Sequence, residues 1–243
     1  MRPCRNWSIS RSLIVKFLDE GTTIALQIGL PVTPLGFVWV QPTPDLIVRD
    51  IQQFANFNKV QTVKTAGFWF GVRDLGGHVG EKACTDEKVI LNLHVMSLSL
   101  VVEVHHSPPM LISVKASWNT YHKSNVFFAT EYRLAAGPPY EINNPFPAAL
   151  IDIIAGYRYL LDLGFEPRNI IVASDSCSGI LAYQLLRYQA MYKLPELPMA
   201  GALLLFSPLA DSALRADPGT SMVSNAPSDL ARNWLQANYG AIE

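Results

Sequence analysis

Cysteine is scarce in this chain of 243 residues, and the three present, Cys4, Cys84 and Cys177, are odd in number and lack the spacing of a metal-binding pair. That excludes a disulfide framework and predicts a reduced interior. The five histidines show no partnered ligand pattern, so neither a metal nor a cofactor is expected. Charge is scarce as well: 19 basic and 20 acidic side chains leave a net charge of −1, too little for a field that would gather phosphate backbones. Nucleic acid is therefore not an expected partner. No secretory leader is read at the N-terminus, where the apolar run Leu13 to Val15 stops at Lys16, and a cytoplasmic location is favoured. Repeats and low-complexity runs are missing too. What is abundant is apolar side chain, 49% of the total, enough for one domain with a substantial core.

From Gly21 to Pro44 there is no charge, and Ile24, Leu26, Ile28, Leu30, Phe37, Val38 and Trp39 make the stretch oily. Its length would span a bilayer. Gln27, Pro31 and Pro34 argue against spanning, because they interrupt helical hydrogen bonding where lipid offers no substitute. The stretch is read instead as part of an N-terminal cap or flap region, residues 1–60, ahead of a core at residues 61–243.

Within that frame, strand-like and helix-like segments alternate. Thr43 before Pro44 and Asp45 predicts a helix start, with Leu46, Ile47, Ile51 and Phe54 on one face. Val60 to Val72 reads as one or two strands, Lys88 to Leu93 as a strand, Ser107 toward Trp118 as a helix, and Val126 to Tyr132 as a strand. Pro147 opens a helix with Leu150, Ile153, Ile154, Tyr157, Leu160 and Leu161 at helical spacing, ended by Gly164. A strand at Asn169 to Ala173, a helix from about Cys177 and a buried strand at Gly201 to Phe206 complete the pattern. Short links between alternating elements predict an α/β fold, its sheet largely parallel with helices on both faces.

Ligands of such sheets gather beyond the carboxyl ends of the strands. Ser174-Asp175-Ser176-Cys177-Ser178-Gly179 follows one predicted strand, and His94 follows another. A serine on a tight strand-to-helix turn presents its hydroxyl above the sheet, beside amides that can hold an oxyanion. Ser176 has that place, with Ser174 and Ser178 where the G-x-S-x-G pattern has glycine. Taken alone, such a serine is more often a helix N-cap than a nucleophile.

Further segments weigh against that simpler reading. Glu131-Tyr132-Arg133-Leu134-Ala135, Pro145-Phe146-Pro147-Ala148-Ala149, Tyr157-Arg158-Tyr159-Leu160 and Ser174-Asp175-Ser176 occur in this order. Together they resemble the hormone-sensitive-lipase-like, or fold-3, α/β-hydrolases, which carry E-Y-R-L-A, P-F-P-A-A, Y-R-W/Y-L and G-D-S-A-G-G. The resemblance runs from about Lys88 to about Asp211. It implies an α/β-hydrolase fold and a carboxylesterase or lipase-like activity with Ser176 as nucleophile. It also implies an oxyanion hole that takes one N–H from Cys177 and the rest from His94, Val95 and Met96. Ser174, Asp175, Ser178 and Gly179 are then elbow residues.

The sequence departs from that family at two places. His94-Val95-Met96-Ser97 stands where the family has His-Gly-Gly-Gly, with side chains where glycine lets amides approach. His78, His94, His105, His106 and His122 all precede Ser176, whereas the fold orders its triad serine, acid, histidine. The expectation is a sheet lacking its C-terminal strands, with Gly201 to Phe206 at an edge and the chain aggregation-prone or partner-dependent. Two functions follow as expectations: an impaired serine hydrolase of small to medium acyl esters, or a catalytically inactive pseudo-hydrolase that binds an apolar ligand or a partner.

Overall fold

The interior strands are short runs rich in β-branched and aromatic residues, and their side chains alternate between two buried faces. A computed structural model of the chain describes residues 36–71, 80–93, 126–135, 143–175, 177–206 and 208. All of them lie in one compact unit, Pro31–Ala210. The described elements are β1 (Gly36–Val40), a 3-10 turn (Pro44–Leu46), α1 (Arg49–Phe57), β2 (Thr65–Gly71), β3 (Val89–Leu93), β4 (Val126–Thr130), α2 (Ala148–Asp162), β5 (Ile170–Asp175), α3 (Ser178–Tyr192) and β6 (Ala202–Phe206).

They form a sheet of order β1-β2-β4-β3-β5-β6. Strands β3, β4, β5 and β6 run parallel, while β1 and β2 are antiparallel to their neighbours. Val89, Leu91 and Leu93 of β3, Val126 and Phe128 of β4, and Ile170 and Val172 of β5 point into the larger core. Ile90, Phe127, Ala129 and Ala173 alternate with them and point into a smaller cluster on the other face. This is the two-residue period of a sheet buried on both sides.

Helices α2 and α3 both pack on the larger core. Their crossovers, β4 to β5 and β5 to β6, step in the same direction along the sheet, so the right-handed rule puts them on one face. The helix expected from Ser107 toward Trp118 lies outside the described residues. In α2, Leu150, Ile153, Ile154, Tyr157 and Leu160 are buried as their spacing predicts, and Gly164 ends the run at φ +93°. No described helix is long and apolar enough to cross a membrane.

Two local readings need correction. The helix expected from Thr43 breaks into a 3-10 turn and then restarts at Arg49, with Ile47 and Val48 extended and Thr43 making no side-chain cap. The cause is distant: the Tyr188 hydroxyl of α3 donates to the Leu46 carbonyl and accepts the Val48 N–H, satisfying the backbone that a continuous helix would have used. Phe54, expected on the buried face, is 47% exposed, while Ile51 and Ala55 are buried. Part of the oily stretch is also settled, because Gly36–Val40 is a strand paired with β2.

Candidate active site

The carboxyl ends of the parallel strands converge at one edge of the sheet, and the sequence places its polar residues there. Strand β5 runs two residues further than expected, through Ser174 and Asp175, and Leu93, the last residue of β3, pairs in register with Ser174. The two chains therefore leave the sheet side by side, about 4.8 Å apart. Helix α3 begins at Ser178, so only positions 176 and 177 connect strand to helix. Ser176, His94, Val95 and Met96 lie outside the described residues; Ser174, Asp175, Cys177, Ser178 and Gly179 lie within them.

The two serines that replace glycine in the elbow pattern behave differently. Ser174 is buried, and its hydroxyl has no hydrogen-bond partner among the described residues. Ser178 is fully buried, but its hydroxyl accepts the Asp175 N–H at 3.1 Å and lies 2.7 Å from both the Leu93 and the Asp175 carbonyls. Gly179 is buried in the first turn of α3.

Cys177 is exposed and unpaired, with φ −67° and ψ −24°, already helical. Desolvation, with the Asp175 carboxylate adding to it, pushes its thiol above its ordinary range, against the pull of its own and the Ser178 N–H. The thiol is therefore protonated near neutral pH. Tyr132, two residues beyond β4, is buried; desolvation, followed by the nearby Cys177 and Glu131, holds its phenol well above the usual range. The Cys177 thiol is thus within electrostatic reach of the Tyr132 phenol, across β3, which separates the two strands. Sequence reasoning quoted Tyr132 in a motif and gave it no part in the site.

Beneath that loop, Asp152 of α2 is buried and takes three bonds from Arg133. The backbone N–H and Nε reach Oδ2 at 2.9 and 2.8 Å, and Nη2 reaches Oδ1 at 2.8 Å. Nη2 also donates to the Gln61 carbonyl at 2.9 Å. Burial pushes the Asp152 carboxyl up, and the Arg133 donors pull it back. This carboxylate holds the loop carrying Tyr132 and takes no part in an elbow. Two shallow grooves formed by described residues, the larger of about 520 Å³ between Val48–Gln52 and Met191–Leu194, lie at the other end of α3. They are about 20 Å from Ser178 by helical rise, so neither is the crevice.

No protein-family model matches the chain. It is 38% identical over 80 residues to an esterase of Acinetobacter venetianus, covering 32% of this chain and 25% of that protein. It is 40% identical over 70 residues to an acetyl-hydrolase of Streptomyces hygroscopicus, covering 29% of this chain and 22% of that protein. The matched segments thus span about a quarter of these relatives' lengths. Among solved structures, an esterase/lipase from an uncultured bacterium aligns over 91% of this chain and 68% of its own, with a TM-score of 0.50 at 20% identity. The largely parallel sheet and this likeness give the α/β-hydrolase fold.

Proposed function

We propose that the chain is a serine hydrolase of the carboxylesterase type, of the hormone-sensitive-lipase-like fold-3 class, acting on small to medium acyl esters through Ser176. The observation that carries this reading is the two-residue link from β5 to α3, whose first position is Ser176. A hydroxyl there stands at the N-terminus of a 15-residue helix, where free amides and the helix dipole favour an oxyanion. The curated relatives named esterase and acetyl-hydrolase support the same chemistry.

In this reading the Ser176 hydroxyl attacks the ester carbonyl and passes its proton to a base. The base returns that proton to the departing alcohol, and water then releases the acid from the acyl-enzyme. Cys177 gives one N–H to the oxyanion, and the His94-Val95-Met96 run gives the other.

A fluorophosphonate probe tests the reading on the purified chain. Ser176→Ala is expected to abolish labelling that the parent shows. A folded parent that takes no label would overturn the hydrolase reading and leave a non-catalytic ligand-binding protein.

A further inference from the structure

Ser178 stands where the resembled family has glycine, so its hydroxyl is an addition to the elbow. It is fully buried and sits among three backbone groups: the Asp175 N–H, the Asp175 carbonyl and the Leu93 carbonyl. A serine in the first turn of a helix commonly bonds the backbone three residues before it, and that habit accounts for both Asp175 contacts. It does not account for the third. Leu93 is 85 residues away, on the neighbouring strand, and its carbonyl lies 2.7 Å from the same oxygen.

A hydroxyl carries one proton, so it donates to one of the two carbonyls at a time while accepting the Asp175 N–H. Each carbonyl belongs to a planar peptide. The plane holding the Leu93 carbonyl also holds the amide of His94, and the plane holding the Asp175 carbonyl also holds the amide of Ser176. One buried oxygen therefore bears on the orientation of both peptides through which the chain enters the site.

We infer that Ser178 is a positioning residue: its hydroxyl couples the peptide leading from β3 into His94 to the peptide leading from β5 into Ser176. The catalytic consequence rests on the hydrolase reading; the coupling itself does not. Under the hydrolase reading, this anchor fixes the gap between the ends of β3 and β5, from which the two halves of an oxyanion site would be built. Small errors in such a gap cost rate more than affinity.

The experiment compares the full-length parent with Ser178→Ala and Ser178→Gly; the second variant, which restores the family's residue, covers the case in which the first does not fold. Two quantities are followed: fluorophosphonate labelling against probe concentration, and hydrogen exchange of peptides covering residues 94–97 and 174–177. The expected result is a fall of about tenfold in the maximal labelling rate, with the half-saturating probe concentration held within about twofold, and faster exchange in both peptides. Unchanged labelling and unchanged exchange at 94–97, with only a lower melting temperature, would reduce the hydroxyl to a local helix cap and overturn the inference. A parent that takes no label would sink the hydrolase reading alone. Exchange at 94–97 then decides: faster exchange sustains the coupling, and unchanged exchange overturns it.

Discussion

The exits of β4 and β5 lie at the same edge of the sheet and are secured by different means. At β4, a bidentate ion pair between Arg133 and Asp152 holds the loop, with every Asp152 contact made by a strong donor in good geometry. At β5, two neutral hydroxyls replace glycines; one accepts an N–H and shares its single proton between two carbonyls, and the other is left without a partner among the described residues. The first exit is strongly held and intolerant of losing a piece. The second carries a defect beside its anchor, so improvement there is still available. Neighbouring loops of one site can therefore respond to mutation with opposite signs.

Asp152→Ala should have the largest effect. It leaves the Arg133 guanidinium, only 21% exposed, without its carboxylate, and should cost about 3–5 kcal/mol in a urea unfolding measurement. A loss under about 1 kcal/mol would mean that water takes over the pairing, and the contrast between the exits would collapse. Gly156→Ala comes next. A Cβ at Gly156 would lie 2.7 Å from the Thr130 Cβ, where α2 crosses the end of β4. Alanine gains up to about 1 kcal/mol of helix propensity, but a contact that short forces the helix outward, and a net loss of about 1–2 kcal/mol is expected in the same measurement. Ser174→Ala should give the smallest change and the opposite sign. It removes a buried hydroxyl that makes no bond, so the unfolding midpoint should rise by the equivalent of about 1 kcal/mol. A fall would show that the hydroxyl is satisfied and that the β5 exit has no defect.

How much of this was legible in the sequence depends on how far each cause lies along the chain. Helix α2 was legible because its apolar spacing and Gly164 are local signals. The parallel strands β3 and β5 were legible as short buried apolar runs, and the short link from β5 to α3 as the join between a strand and a helix; β6 was legible as a strand but not in its burial, since it lies at the sheet edge with Ala202 and Leu205 exposed. The break before α1 was not, because its cause is a phenol more than a hundred residues away; Thr43 and Pro44 carry every local mark of a helix start. Phe54 was misplaced for the same reason, since the restart at Arg49 rotates the face that is buried. Ser178 read as an elbow residue, but nothing near it in sequence announces that its oxygen reaches Leu93. Tyr132 was visible only as a letter of a motif, and its burial at the end of β4, within the field of Cys177, required the strand order.

The Tyr188 phenol also bears on the order in which a ribosome can complete this protein. It fastens residues 46 and 48 to a helix 142 and 140 positions downstream, so the clasp on the start of α1 cannot close until α3 has been synthesised. At roughly 5–20 residues per second that is a delay on the order of ten to thirty seconds. During that interval the hydrophobic face formed by Leu46, Ile47 and Ile51 waits for its covering, and a nascent-chain chaperone has its longest opportunity to engage the segment.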